Sequence, residues 1–357
     1  MIIFVMLLAV VILLSFCMKT NGKGTIADKF IKQENPVAEP FLSQRLTTII
    51  NGIFVLLIFF SHSTQYLTLS SNKLDSLYRH FQNFHNQWVV TTFLAFSGFG
   101  VMLKIMQGGV QYLKKYPRNR LLKTLINFDI AVIIFLVANT LLGIHYSGRE
   151  IAGSFIGITS IGNSNWYIFT ILVMYLVSYL AAVVLKDNYN AIAIAVTVCS
   201  VVYVAIAQIT GLPSRFVSTV VTYALGMWIA LYKDELERVF KNKAIVSLMI
   251  ICIPILVTYK FRDNDYIMNL NSCFFVLSVV WFMAHFEIQS SILYFLGKHA
   301  FSIYILQRLP MLLISHFYTP VGMMNYVFVA ICLLITVGIA VVFDKLLEKV
   351  DKIVLKT

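Results

Sequence analysis

Charge is what this chain has least of. Asp, Glu, Lys and Arg together make up 12% of its 357 residues, against 59% hydrophobic residues, where an ordinary soluble domain is about 25% charged. So few charges cannot cover the surface of a soluble protein of this length, which excludes a soluble globular enzyme, a disordered chain and a secreted disulfide scaffold. Cysteine is also sparse. Cys17, Cys199, Cys252, Cys273 and Cys332 all lie in apolar runs, and none is spaced as a zinc site or a redox pair, so they read as small packing residues. No period-two alternation runs through the apolar stretches, which argues against a β-barrel. No internal repeat is visible, and no polar stretch is long enough for a soluble domain.

What is present is apolar runs of membrane-spanning length. In lipid every backbone N–H and C=O must be paired within the protein, and continuous apolar runs do this as helices. A span needs about 20 mostly apolar residues. Eleven stretches qualify, the first at residues 2–18 and the others beginning near Leu46, Trp88, Leu122, Trp166, Ala191, Val217, Ala244, Ile267, Ser291 and Val321. The stretch from Val217 is short, and the one from Ile267 opens with two asparagines. The expected fold class is therefore all-α: a polytopic helical bundle with a ten-helix core and one extra N-terminal transmembrane helix.

Net charge is +12, which in a soluble protein would suggest nucleic acid. Here its distribution explains it. The alternate loops 18–45, 104–123, 186, 233–243, 298 and the segment after Phe343 hold 21 Lys and Arg; the intervening loops hold 6. Cytoplasmic loops carry the excess of basic residues, so the first set is assigned to the cytoplasm. The C-terminus is then inside and the N-terminus outside, and no nucleic-acid partner is required. Residues 1–18 lack a charged leading region, and Lys19 and Lys23 follow them, as in a retained anchor rather than a cleaved signal. The expected organisation is an anchor at 1–18, a polar cytoplasmic linker at 19–44 and a ten-helix domain at 45–357.

Ionisable residues inside spans cost roughly 2.5–3.5 kcal/mol on insertion scales and are functional candidates. His62, in Phe59-Phe60-Ser61-His62-Ser63, lies 16 residues beyond Leu46, roughly 24 Å up its helix, in the outer part of the membrane. An imidazole there can take a proton from an alcohol and return it; a packing histidine bonded to a carbonyl is the other reading. Asn51 lies eleven residues earlier, within about 20° of three full turns, and so on the same helix face. Asp129, in Asn127-Phe128-Asp129, is expected to pair with a cation or a polar side chain. Arg308, beside Gln307, needs an anion or an aqueous cavity. Ser97-Gly98-Phe99-Gly100 reads as a close helix–helix contact. The densest basic cluster, Lys114-Lys115-Tyr116-Pro117-Arg118-Asn119-Arg120 with Lys123, suits anionic lipid or a polyanionic cytosolic molecule.

Several stretches together resemble the bacterial acyltransferase-3 family of ten-helix membrane enzymes. Phe59-Phe60-Ser61-His62 is similar to the motif of its first core helix, and Phe96-Ser97-Gly98-Phe99 to that of its second. Tyr116-Pro117-Arg118-Asn119-Arg120-Leu121-Leu122-Lys123 is similar to the basic loop that follows. Asn165-Trp166-Tyr167-Ile168 resembles a signature opening a later helix, and Gly297 to Leu306 a Gly-x-x-Ser-x-x-Ile-Tyr-Leu motif. Asn51 stands where the family usually has Arg or Lys, Gln307 where it often has His, and Lys123 where its loop pair has a second Arg.

The resemblance implies an integral membrane O-acetyltransferase of the cytoplasmic (inner) membrane, taking acetyl from cytosolic acetyl-CoA to a hydroxyl of a cell-surface carbohydrate or lipid-linked sugar, with no metal. It implies His62 as base or acyl carrier with Asn51 beside it, and Arg118, Arg120 and Lys123 holding the donor phosphates. Ser97, Asp129, Trp166, Tyr304, Gln307 and Arg308 are candidates for substrate or oxyanion contact. The alternatives are a glycolipid or polysaccharide transporter or flippase, and an inactive acyltransferase-like protein.

Overall fold

The computed structural model describes residues 18–19, 40–70, 73–85 and 87–354. The expected anchor, apart from Met18, and most of the linker lie outside these residues. Fifteen α-helices dominate the described residues: α1 (Gln44–Ser63), α2 (Lys73–His85), α3 (Trp88–Tyr116), α4 (Lys123–Leu141), α5 (Gly148–Phe155), α6 (Trp166–Leu185), α7 (Tyr189–Ile209), α8 (Val221–Leu231), α9 (Lys233–Asn242), α10 (Ala244–Thr258), α11 (Asp265–His285), α12 (Ser291–Lys298), α13 (Ala300–Leu306), α14 (Arg308–Phe317) and α15 (Met324–Val354). The sheet formed by the described residues is a two-residue pair, Met18–Lys19 antiparallel to Glu287–Ile288.

The protein is an all-helical, polytopic membrane protein. Among the described residues, nine helical stretches are long and apolar enough to cross a membrane. One of these, Asp75–Leu141, is far longer than a bilayer at 1.5 Å per residue. It is broken by Gly109, whose φ of 44° and ψ of −134° interrupt α3, and by Pro117, which opens a π-helical segment, Pro117–Leu122. It therefore contains two of the expected spans, α3 and α4. The basic stretch 104–123, expected as a loop, is helical. A proline in the first turn of a helical segment loses no hydrogen bond that turn would make, so the chain continues helical through it.

The stretch expected as one span from Ser291 is three short helices with joints at His299 and Gln307; the segment long and apolar enough to cross is Ala300–Phe317. The short stretch near Val217 is a span, Ser214–Leu231, and it is the most buried of the nine.

Glycine sets the two closest helix contacts. A Cβ on Gly98 would stand 2.0 Å from the Tyr223 carbonyl oxygen, and one on Gly226 1.8 Å from that of Ala95, so α3 and α8 meet backbone to backbone. Gly52 and Gly297 do the same for α1 and α12, at 2.0 Å from Leu293 O and 1.8 Å from Thr48 O. Lipid tails are as apolar as leucine, so membrane helices are held by such packing and by hydrogen bonds rather than by burial of apolar area.

The two asparagines of α11 supply those hydrogen bonds. Asn269 donates to Val217 O at 2.8 Å and accepts from Val221 N at 3.0 Å, fixing the start of α8. Asn271 accepts from Trp88 Nε1 at 2.7 Å and donates to Thr258 Oγ1 at 2.7 Å, tying α3, α10 and α11 together.

Candidate functional site

Two cavities lie end to end along the bundle. The inner one, of about 280 Å³, is lined by Asn51 of α1, Ser97 of α3, Tyr167 and Tyr175 of α6, Lys298 of α12 and Tyr304 of α13. The second, of about 430 Å³, opens where two basic segments meet an acidic face of α15. Arg120 and Lys123, Lys298 and His299, and Asp344, Glu348 and Asp351 line it. Thr124, Lys298 and Phe301 line both, so the open mouth leads into the interior past Lys298.

The α1–α12 glycine contact explains why α1 presents Asn51 here. Gly297 rests on the backbone of Thr48, one turn before Asn51, and the next residue, Lys298, reaches the cavity. The buried Asn51 Oδ1 has no hydrogen-bond partner among the described residues. Asn165 places α6: its Nδ2 donates to Gly157 O at 2.8 Å and to Thr159 O at 3.0 Å. Tyr167 follows on the cavity wall. Trp166 is buried beside it at 6.3 Å between ring centroids and does not line the wall.

His62 is the penultimate residue of α1. It lies beyond the wall of the inner cavity and connects to it through rings: His62 to Tyr304 at 6.4 Å, then Tyr304 to Tyr167 at 5.5 Å. Its buried Nδ1 has no hydrogen-bond partner among the described residues, so the carbonyl bond of a packing histidine is not made through that atom. Arg308, at the start of α14, stands close enough for its charge to act on the ring. Its Nη2 donates to Gln65 Oε1 at 2.9 Å, and its buried Nε is unpartnered among the described residues. Gln307 is fully buried; its Nε2 donates to Tyr304 O at 3.0 Å and its Oε1 has no partner among the described residues.

The structure thus brings Asn51, Ser97 and Tyr304 to one cavity, with His62, Gln307 and Arg308 grouped at the far end of the same α1–α13–α14 corner. Asp129 stands apart. It lines neither cavity, and its buried Oδ1 finds no partner among the described residues, so the expected pairing is not made at that atom.

The basic cluster divides. Arg118 lines neither cavity. Arg120 is on the mouth, with Nε donating to the Tyr112 hydroxyl at 3.2 Å and its guanidinium 5.7 Å from the Tyr175 ring centroid. Lys123 is also on the mouth and is paired with Asp351 at 2.6 Å. Among the described residues no group of three His, Cys, Asp or Glu stands together as metal ligands.

Three features do not stand out in the sequence. Lys298 reads there only as a loop charge, although its place after Gly297 in the Gly-x-x-Ser stretch is a usable signal. Tyr175 lines the inner cavity together with Asn51 and Tyr167. His299 Nδ1 and Ser302 Oγ both bond the Asp344 carboxylate, which ties the α12–α13 joint to α15. Asp344 is 42 or more positions from either donor along the chain, and nothing local announces the contact.

The family described as an acyltransferase domain matches residues 49–345. Neither a curated protein nor a solved structure matches the chain.

Proposed function

The chain belongs to the acyltransferase-3 family, and from that premise we propose that it moves an acetyl group from cytosolic acetyl-CoA to a hydroxyl of a carbohydrate or lipid-linked sugar on the far side of the cytoplasmic membrane. The observation that carries this reading is the pair of joined cavities. One end is an open mouth that carries Arg120, Lys123 and Lys298 beside the carboxylates of α15, and the other approaches a buried histidine whose Nδ1 has no partner among the described residues. A transporter requires no histidine at the closed end of such a passage.

In this reading the donor phosphates stay at the mouth with Arg120 and Lys123, and the neutral thioester arm enters past Lys298. From the level of Asn51 to that of His62 is eleven residues, about 16 Å at 1.5 Å per residue, a span of the order that an extended pantetheine arm covers. The acceptor arrives from the opposite end, where Arg308 and Gln65 lie. His62 takes the proton of the acceptor hydroxyl as its oxygen attacks the thioester carbonyl carbon. The C–S bond then breaks, and His62 returns the proton to the departing thiolate. Charge builds on the carbonyl oxygen in between. Arg308, with its unpartnered Nε, and the Gln307 amide are the donors available to it, and one such donor in a dry site is worth about 2.7–4 kcal/mol; Asn51, about 16 Å back along the same helix, meets the donor arm instead.

The test is transfer from labelled acetyl-CoA by the purified protein in proteoliposomes. Wild type is expected to consume the donor and His62→Ala to be folded and inactive. Near-wild-type turnover by His62→Ala would overturn the assignment, and substrate movement without donor consumption would favour a transporter.

A further inference from the structure

Lys298 is the one residue whose cation borders both cavities. Its neighbours in the mouth are engaged elsewhere. Lys123 is held by Asp351, His299 is bonded to Asp344, and Arg120 is braced by Tyr112 and lies over the Tyr175 ring. Among the described residues Lys298 forms no ion pair and no side-chain hydrogen bond. The mouth's remaining carboxylate, Glu348, is exposed on α15.

Lys298 is exposed, and the backbone that carries it is held on both sides. Gly297 is pressed on the Thr48 carbonyl, where no side chain fits, and His299 is tied to α15. An unpaired ammonium on a stem rooted between two held residues, where the open mouth adjoins the inner cavity, is suited to an oxyanion at that boundary.

We infer that Lys298 holds the phosphate at the root of the donor's thioester arm and so sets how deep the arm reaches toward His62. This rests on the acyl-CoA reading above and adds a donor-binding residue to it. A CoA molecule is a phosphate-rich head on a long neutral arm. Its diphosphate is the last charged group before the arm, and the boundary at the exposed Lys298 is where that charge can stay in water. A lysine here acts as a point charge with rotatable donors, which matches a phosphate that need not be gripped in a fork.

The test is binding to the full-length protein in lipid nanodiscs, with three probes: CoA, acetyl-CoA and S-acetylpantetheine, which has the arm but no phosphate. Loss of one charge-assisted contact corresponds to about ten- to a hundredfold in affinity. Lys298→Met is expected to weaken CoA and acetyl-CoA by that factor and to leave S-acetylpantetheine unchanged, while Lys298→Arg stays near wild type. Lys298→Gln, measured alongside, guards against a folding defect in the Met variant. CoA affinity in Lys298→Met and Lys298→Gln equal to wild type would overturn the inference. So would an equal loss of S-acetylpantetheine, which would make the role one of shape. Wild-type protein that binds neither CoA nor acetyl-CoA would overturn the donor reading together with it, and the wild-type arm alone reports that.

Discussion

Gly297 and Thr48 touch backbone to backbone: a Cβ on Gly297 would stand 1.8 Å from the Thr48 carbonyl oxygen. The same contact brings Lys298 beside Asn51 at the inner cavity, so one glycine both closes a helix pair and places a cation.

Gly297→Ala should therefore be destabilising, because both atoms in the clash belong to backbone that cannot swing aside. Overpacking of this kind costs about 1–3 kcal/mol. Gly226→Ala, facing Ala95 O at 1.8 Å, should behave alike. Gly338→Ala, with nothing within 4 Å of the added methyl, should not. Thermal unfolding in one detergent, compared across the three variants, checks this; equal melting of Gly297→Ala and Gly338→Ala would refute it.

Asp344 accepts from both His299 and Ser302. Asp344→Ala leaves the buried Ser302 hydroxyl and the His299 ring without that acceptor, and hydrogen bonds to a charged group are worth about 1.5–3 kcal/mol each. The expected result is a lower melting temperature and faster hydrogen exchange at the α12–α13 joint. Ser302→Ala, which removes only one of the two donors, should do less.

Asn51→Leu should raise the KM for acetyl-CoA several-fold with little change in kcat, because Asn51 lines the inner cavity about 16 Å from His62 and meets only the donor arm there. Steady-state transfer of labelled acetyl separates the two constants. A fall in kcat with KM unchanged would place Asn51 at the reacting carbonyl instead.

Helix α5 carries a capping box: Ser147 Oγ accepts from Glu150 N at 3.3 Å, and the Glu150 carboxylate accepts from Ser147 N at 2.8 Å. These bonds, the backbone N–H first and the hydroxyl second, hold the Glu150 carboxyl below its ordinary value of 4.5. A group with a lowered folded-state value contributes fully above the ordinary value, and its contribution is lost as pH falls through the lowered one. Amide protection factors across Gly148–Phe155, corrected for the intrinsic pH dependence of exchange, should therefore be flat above that value and fall below it, and Glu150→Gln should remove the dependence.

Much of the architecture was legible because lipid leaves a chain few options. Runs such as Trp166–Leu185 must be helices to pair their own backbone, and their limits fell within a few residues of the apolar runs. The close contact at Gly98 was legible for a related reason, since small residues mark where membrane helices meet. Segments 104–123 and 291–317 were less so. Polar residues after Gly109 look like a loop in a hydropathy profile although their backbone is helical, and the joint at His299 is set by bonds to Asp344 that sequence spacing cannot express. The site divided along the same line. His62, Asn51 and Arg308 stood out as polar groups in an apolar setting. Tyr167 stood in the Asn165-Trp166-Tyr167-Ile168 stretch, whereas Tyr175 is one of 18 tyrosines and carries no mark until the helices are assembled around it.

The four pressed glycines also have a mechanical meaning. Gly52 with Gly297, and Gly98 with Gly226, each lock two helices at backbone distance, so α1 with α12 and α3 with α8 behave as two rigid bodies. The inner cavity has walls from both, with Asn51 and Lys298 on one and Ser97 on the other. Any widening that admits the donor arm must then move the two bodies away from each other and cannot occur within either. A disulfide tying α1 to α12 should leave turnover intact, whereas one tying α1 to α3 should stop it.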